Sequence, residues 1–169
     1  MSFDGVNDFI NISDSNSLEP KNITISMWIY PKKWTHNPTA TALFTKRVTI
    51  SNGYFLFYLT GSSSIQWDWS PDQNRWDTGY NPPLNTWTLI TVTRNDSVRY
   101  LYVNGTFKTS TTAAGDWSTI ATTAPLRIGY DTAADRYPFN GTIDDVMMFS
   151  RDLSAGEISA LYNASATKY

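Results

Sequence analysis

The sequence predicts an all-β fold, two antiparallel sheets packed as a sandwich, with one short helix near the C-terminus. Three observations carry this. Short runs rich in Val, Ile, Thr, Tyr, Phe and Trp recur along the 169 residues, separated by Asn, Asp, Gly, Pro and Ser. Asn52-Gly53 and Asn104-Gly105 each stand between apolar runs, and Asn-Gly suits a type I′ hairpin turn, which needs positive φ at both central residues. Ser154-Ala155-Gly156-Glu157 matches a capping box, and Ile158, Leu161 and Tyr162 follow at helical spacing.

In order, the runs give strands at 2–12, 23–31, 41–48, 54–60, 64–70, 87–94, 98–104, 106–110, 125–130 and 139–149. Pro71, Gly79, Pro82 and Pro83 mark much of 71–86 as loop. The helix, 154–162, is too short to stand alone, so it must dock on the sandwich. There is no internal repeat.

Composition bounds the function. The hydrophobic fraction is 41% and the charged fraction 17%, enough for one sizeable core. A net charge of -2 leaves no electrostatic footprint for nucleic acid or an anionic membrane. No apolar run approaches the roughly 20 residues that span a bilayer, so membrane insertion by this domain is not expected. Cysteine is absent, which excludes disulfide scaffolds, thiolate metal sites and cysteine nucleophiles. Met1 runs directly into strand-like Ser2-Phe3-Asp4-Gly5, so residues 1–169 read as one domain cut from a longer surface protein.

Several segments resemble the laminin-G-like, concanavalin-A-like jelly roll in its bacterial, archaeal and pentraxin-related form. They are Phe3-Asp4-Gly5-Val6-Asn7-Asp8-Phe9-Ile10, Ile23 to Pro31, Trp87 to Arg94 leading into Leu101-Tyr102-Val103-Asn104-Gly105, and Phe139 to Val146 continuing to Ile158. Their order and spacing span almost the whole chain. The resemblance implies a two-sheet antiparallel jelly roll with one concave sheet, and ligands that meet the concave face or the loops of one rim. It also implies that first and last strands pair, and that Trp28 and Trp87 are framework. The stretch from about Lys32 to Asn85 departs most from the pattern, so individual specificity is expected there.

Catalysis lacks its parts. Glycosidases on this fold resemble a pattern of two glutamates flanking an aspartate on one strand, and hydrolysis needs two carboxyls a few ångströms apart. This chain has Glu19 in a loop and Glu157 in the helix cap. Asp144 and Asp145 are adjacent, so on a regular strand they face opposite ways. The single histidine, His36, has no partner for a triad. No enzyme activity is expected.

Oxygen-rich ligands without Cys or clustered His point to calcium if to any metal. Asp4 and Asn7 near the first strand and Asp145 in the last could converge on a structural ion. The alternative is that Asp4 and Asn7 make a turn through side-chain to backbone bonds. Asp131 and Asp135 form a weaker second cluster.

Sugars present an apolar C–H face and a rim of hydroxyls, met by flat rings and by short polar side chains or Arg. Residues 66–80 hold such a mixture. Ile65, Trp67 and Trp69 share one strand face, taken as the core side, while Gln66, Asp68 and Ser70 share the other. Trp76 sits among polar residues, so it is expected to be an exposed ligand ring with Arg75, Asp77 and Tyr80 beside it. In 54–59, Phe55, Phe57 and Leu59 are expected inside, with Tyr54 and Tyr58 on the opposite face. The resemblance puts Leu101 and Val103 inside and Tyr100 and Tyr102 outside. These four tyrosines form either a binding platform or a cross-strand stack. Asn11, Asn22, Asn95, Asn104, Asn140 and Asn163 each begin Asn-X-Ser/Thr, which agrees with an extracellular or cell-surface home. Together these features describe a non-catalytic carbohydrate-binding or adhesion module, its partner a glycan or a surface protein. The alternative is a structural or assembly domain of a surface or virion protein that makes protein contacts.

Overall fold

Alternation along the strands decides the architecture. In β3 (Ile23–Lys33), Ile23, Ile25, Met27 and Ile29 turn into the core, leaving Thr24, Ser26 and Trp28 for the opposite face. With β1 (Ser2–Asp4), β8 (Thr88–Asn95), β9 (Val98–Val103), β10 (Thr106–Thr112) and β12 (Asn140–Phe149), β3 makes sheet A in the order β1-β12-β3-β8-β9-β10. Sheet B is built from β2 (Ile10–Ile12), β4 (Ala40–Thr49), β5 (Asn52–Leu59), β6 (Ser64–Trp69), β7 (Asn74–Asp77) and β11 (Leu126–Ile128), in the order β2-β11-β4-β5-β6-β7. Neighbours in both sheets are antiparallel. The computed structural model describes residues 1–34, 40–49, 52–69, 74–96, 98–112, 122–131, 133 and 136–169.

The core lies between the sheets. Ile25, Met27, Ile90, Val92, Leu101 and Ile143 of sheet A meet Phe44, Leu56, Ile65, Trp67, Leu126 and Ile128 of sheet B. Removing this apolar area from water is the main favourable term of the fold.

The predicted sandwich is the observed one, and three local readings change. The expected strand at 2–12 is two strands in different sheets, because the chain turns at Gly5, whose φ is +82°. A Cβ at Gly5 would stand 2.7 Å from the Asn140 amide, so the crossing needs glycine twice over. The expected loop at 71–86 contains β7, paired with β6. Asn52 and Gly53 are not a turn; they open β5 and pair with Thr49 and Arg47. The other Asn-Gly is the hairpin expected: Asn104 (φ 50°) and Gly105 (φ 74°) join β9 to β10.

Helix α1 (Ala155–Ser165) begins at the capping box read from sequence. Ser154 Oγ accepts from Glu157 N at 3.3 Å, and Glu157 Oε2 accepts from Ser154 N at 2.9 Å. The helix packs on the outer face of sheet A, where Ile158 meets Tyr102 and Leu153. Trp28 Nε1 donates to Ser165 Oγ at 3.0 Å, pinning the last turn.

Candidate binding site on the outer face of sheet B

Register across β4 to β7 places two rows of side chains on the outer face of sheet B. One row reads Thr45, Phe55, Asp68, Arg75, and the next Ala42, Phe57, Gln66, Asp77. Phe55 and Phe57 stack with ring centroids 4.4 Å apart. The Arg47 guanidinium lies over both, 4.4 Å and 5.0 Å from their centroids. The segment before β12 crosses this face. Ala42 N donates to Tyr137 O at 2.8 Å, and the Tyr137 ring meets Phe57 edge-on. What remains open is a cleft of about 100 Å³ lined by Arg47, Phe55, Phe57, Gln66, Arg75 and Tyr137.

The charges here are buried, which is costly unless they are paired. Asp131 is fully buried and accepts from Arg47 Nε at 2.8 Å and Nη2 at 2.5 Å, a bidentate pair. Asp68 is 1% exposed, and neither carboxylate oxygen has a hydrogen-bond partner of good geometry. Its nearest cation is Arg75 Nε at 3.4 Å, on a side chain that is 54% exposed. Burial pushes the Asp68 carboxyl up to about 6, and Arg75, Arg99, Arg47 and a weak contact from the Trp69 backbone N–H only partly draw it back. Two cleft-lining side chains thus lead to buried carboxylates, Arg47 to Asp131 and Arg75 to Asp68.

Of the residues expected to bind, Arg75 lines the cleft and Asp77 shares its row. Asp77 accepts from Ser64 Oγ and from Gly79 N, which fixes the turn after β7. Trp76 is not an exposed ring. It is 7% exposed, pairs with Trp67 across the strands and lies 5.8 Å from the Arg99 guanidinium in the core. Arg75-Trp76-Asp77 is itself a strand alternation, polar out and apolar in. Tyr80 packs at the edge of the core, with Lys108 Nζ 5.7 Å from its ring.

Tyr54 and Tyr58 also point inward, reversing the expected parity, because Leu56 between them belongs to the core. Tyr54 OH donates to Leu18 O at 2.8 Å, and Tyr58 stacks on Trp34 at 3.8 Å. Phe55 and Phe57 are the outward pair. Tyr100 and Tyr102 face outward from sheet A as expected, but under α1. The four tyrosines therefore share no platform, since they lie on different sheets and different faces.

The proposed calcium ligands do not converge. The first and last strands do pair, but Asp4 is opposite Asn140. Asp145 lies five residues further along β12, about 16 Å at strand rise. Asp4 Oδ1 accepts from Val6 N at 2.7 Å, an Asx turn, and Asn7 is exposed in that turn. Asp145 Oδ2 accepts from Lys168 Nζ at 2.9 Å. Among the described residues no three carboxylate or imidazole groups gather as metal ligands. His36 and Asp135 lie outside the described residues. Asp144 and Asp145 do not simply face opposite ways: Asp145 has φ 43° at a register shift, and both carboxylates raise the Tyr169 phenol, after its burial.

Two sets of buried charged side chains escape sequence reasoning. Arg47 and Asp131 are far apart in the chain, and nothing local announces their pairing. Lys46 is the second. It is fully buried at the seam beside Phe44, and its ammonium meets Asp14 Oδ1 at 2.6 Å, Glu19 Oε1 at 2.9 Å, and the carbonyls of Thr122 and Ala124 at 3.0 Å each. Four oxygens surround three N–H donors, so this lysine ties two chain segments to β4. Glu19 is committed there, and Glu157 to Ser154 and Arg151.

Comparison with known proteins agrees with the fold. A human adhesion G-protein coupled receptor D1 is 24% identical over 162 residues, 94% of this chain. The chain spans 18% of the length of that curated relative. Domain 4 of AbnA, a GH43 extracellular arabinanase from Geobacillus stearothermophilus in complex with arabinotriose, superposes with TM-score 0.69 at 20% identity, over 95% of this chain and 75% of that one. A SAP-like pentraxin from Limulus polyphemus gives TM-score 0.70 at 13% identity, over 95% and 80%. These two solved structures show the fold. Residues 4–159 match one family across nearly the whole chain, and by that match the protein belongs to the concanavalin A-like lectin/glucanases superfamily.

Proposed function

We propose that this chain is a non-catalytic, extracellular carbohydrate-binding module that uses the outer face of sheet B. One observation carries the reading. Arg47 and Gln66 are buried polar groups that line a cleft, with buried Asp131 paired to Arg47 and buried Asp68 beside Arg75, on a face that stability alone would fill with apolar side chains. Such a group of donors and acceptors beside rings is what a polyhydroxylated ligand needs. The arabinotriose complex of a structural neighbour supports the ligand class, and the adhesion receptor supports a surface setting. Both glutamates being committed elsewhere supports the absence of hydrolysis.

The test is a glycan array probed with the isolated chain, followed by calorimetry on any hit. Binding is expected, competed by the free sugar and weakened by Gln66→Leu. An array with no hit overturns the reading. A specific feature favours the second reading, an assembly domain. Ile10, Ile12, Leu18, Phe44, Val146 and Met148 line an open apolar groove of about 280 Å³ at one edge of the sandwich. Concentration-dependent self-association lost in Ile12→Glu would support that alternative.

A further inference from the structure

We infer that the sheet B cleft takes the terminal ring of a neutral sugar, held by two hydroxyls that donate to Asp68, and that it disfavours acidic sugars. The inference rests on the carbohydrate reading above and deepens it. The argument is one of charge and acceptors. Arg47 gives its Nε hydrogen and one Nη2 hydrogen to Asp131 and lies flat on Phe55 and Phe57, so its charge is already balanced by a buried carboxylate and offers little net attraction to an anion. The other lining cation is Arg75, and it stands 3.4 Å from Asp68. A ligand carboxylate on Arg75 would sit beside a second carboxylate, and like charges repel.

Asp68 asks for the opposite partner. An ionised carboxylate only accepts, and both its oxygens are buried without a good donor. Vicinal hydroxyls present two donors at about the spacing of carboxylate oxygens. Arg75 lies over Asp68 with its side chain largely in solvent, so it can turn aside and admit them, then donate to the sugar itself. Gln66, next along the same face of β6, supplies a further donor and acceptor. Size limits the ligand. At about 100 Å³ the cleft is well below the roughly 300 Å³ of a small drug-sized site, so it receives one end of one ring and not a run of residues.

The experiment is calorimetric titration of the wild-type chain, Asp68→Asn and Arg75→Gln. The probes are methyl glycosides of neutral pentoses and hexoses, methyl glucuronide and methyl sialoside, with neutral and acidic oligosaccharides on the array in parallel. Asp68→Asn keeps the side-chain shape, and a melting curve for each variant establishes that it is folded. The expected result is neutral binding, weakened more than tenfold by Asp68→Asn and only several-fold by Arg75→Gln. Preference for an acidic sugar, abolished by Arg75→Gln and spared by Asp68→Asn, overturns this inference and leaves the carbohydrate reading standing. Neutral binding that is indifferent to Asp68→Asn also overturns it. Absence of binding to every probe overturns the carbohydrate reading itself.

Discussion

The outer faces of the two sheets both carry buried polar side chains, yet they are built on different rules. On sheet A the polar side chains are hydroxyls that satisfy one another under α1. Ser26 Oγ and Thr91 Oγ1 are 2.8 Å apart, and Thr24 Oγ1 bonds Thr93 Oγ1 at 3.0 Å while accepting from Leu153 N at 2.9 Å. On sheet B the polar groups are charged, and one of them, Asp68, is left short of donors beside an open cleft. Burial alone does not mark a site. A closed network of neutral groups is a way to dock a helix, whereas an acceptor held dry and short of donors costs stability that a proton or a new donor would recover.

Four measurements break or sharpen this contrast. The largest effect is expected from Arg47→Met, which leaves Asp131 charged and buried; chemical denaturation should show a loss of about 3–5 kcal/mol. A loss under about 1 kcal/mol would mean that the sheet B pair is no more than decoration. Next is Asp68→Asn. The folded carboxyl sits at about 6, above its ordinary 3.8, so the native state holds the proton more tightly than the unfolded chain. Stability should therefore be greatest in mild acid, fall as pH rises from about 4 to about 6, and stay level above. The difference amounts to at most about 3 kcal/mol. Asp68→Asn should flatten that profile and raise the melting temperature at pH 7, and a variant less stable than wild type at that pH would contradict the account. Thr24→Val, on sheet A, should cost about 1–3 kcal/mol by leaving Leu153 N and Arg151 O unpaired, with sugar affinity unchanged. Smallest is Arg75→Gln. Its partner is loosely held and its side chain exposed, so unfolding free energy should move by less than about 0.5 kcal/mol while ligand affinity falls.

The fold was legible in the sequence because strand alternation and turn chemistry are local. Ser154 and Glu157, or Asn104 and Gly105, state their structure within four residues. The site was legible only where parity was read correctly. Gln66 and Asp68 follow from Trp67 and Trp69 being inside, and that face assignment was available from β6 alone. The run from Tyr54 to Leu59 gave no such lead, since both its faces are apolar; the sheet B core takes Tyr54, Leu56 and Tyr58, and only packing reveals this. Trp76 was misplaced because prolines nearby suggested a loop, although Arg75-Trp76-Asp77 alternates as an edge strand does. Asp131 was legible only as a candidate metal ligand, because its actual partner is Arg47, 84 residues away.

Lys46 carries a different lesson, about supply. A seam closed by a diffusible ion depends on what the surroundings provide, and it opens when that ion is diluted or captured. Here the positive charge at the seam arrives on four methylenes of the chain itself, between Asp14, Glu19 and the carbonyls of Thr122 and Ala124. It is present from the moment of synthesis, in fixed stoichiometry, and no chelator can remove it. That corner of the molecule is indifferent to the mineral content of its medium.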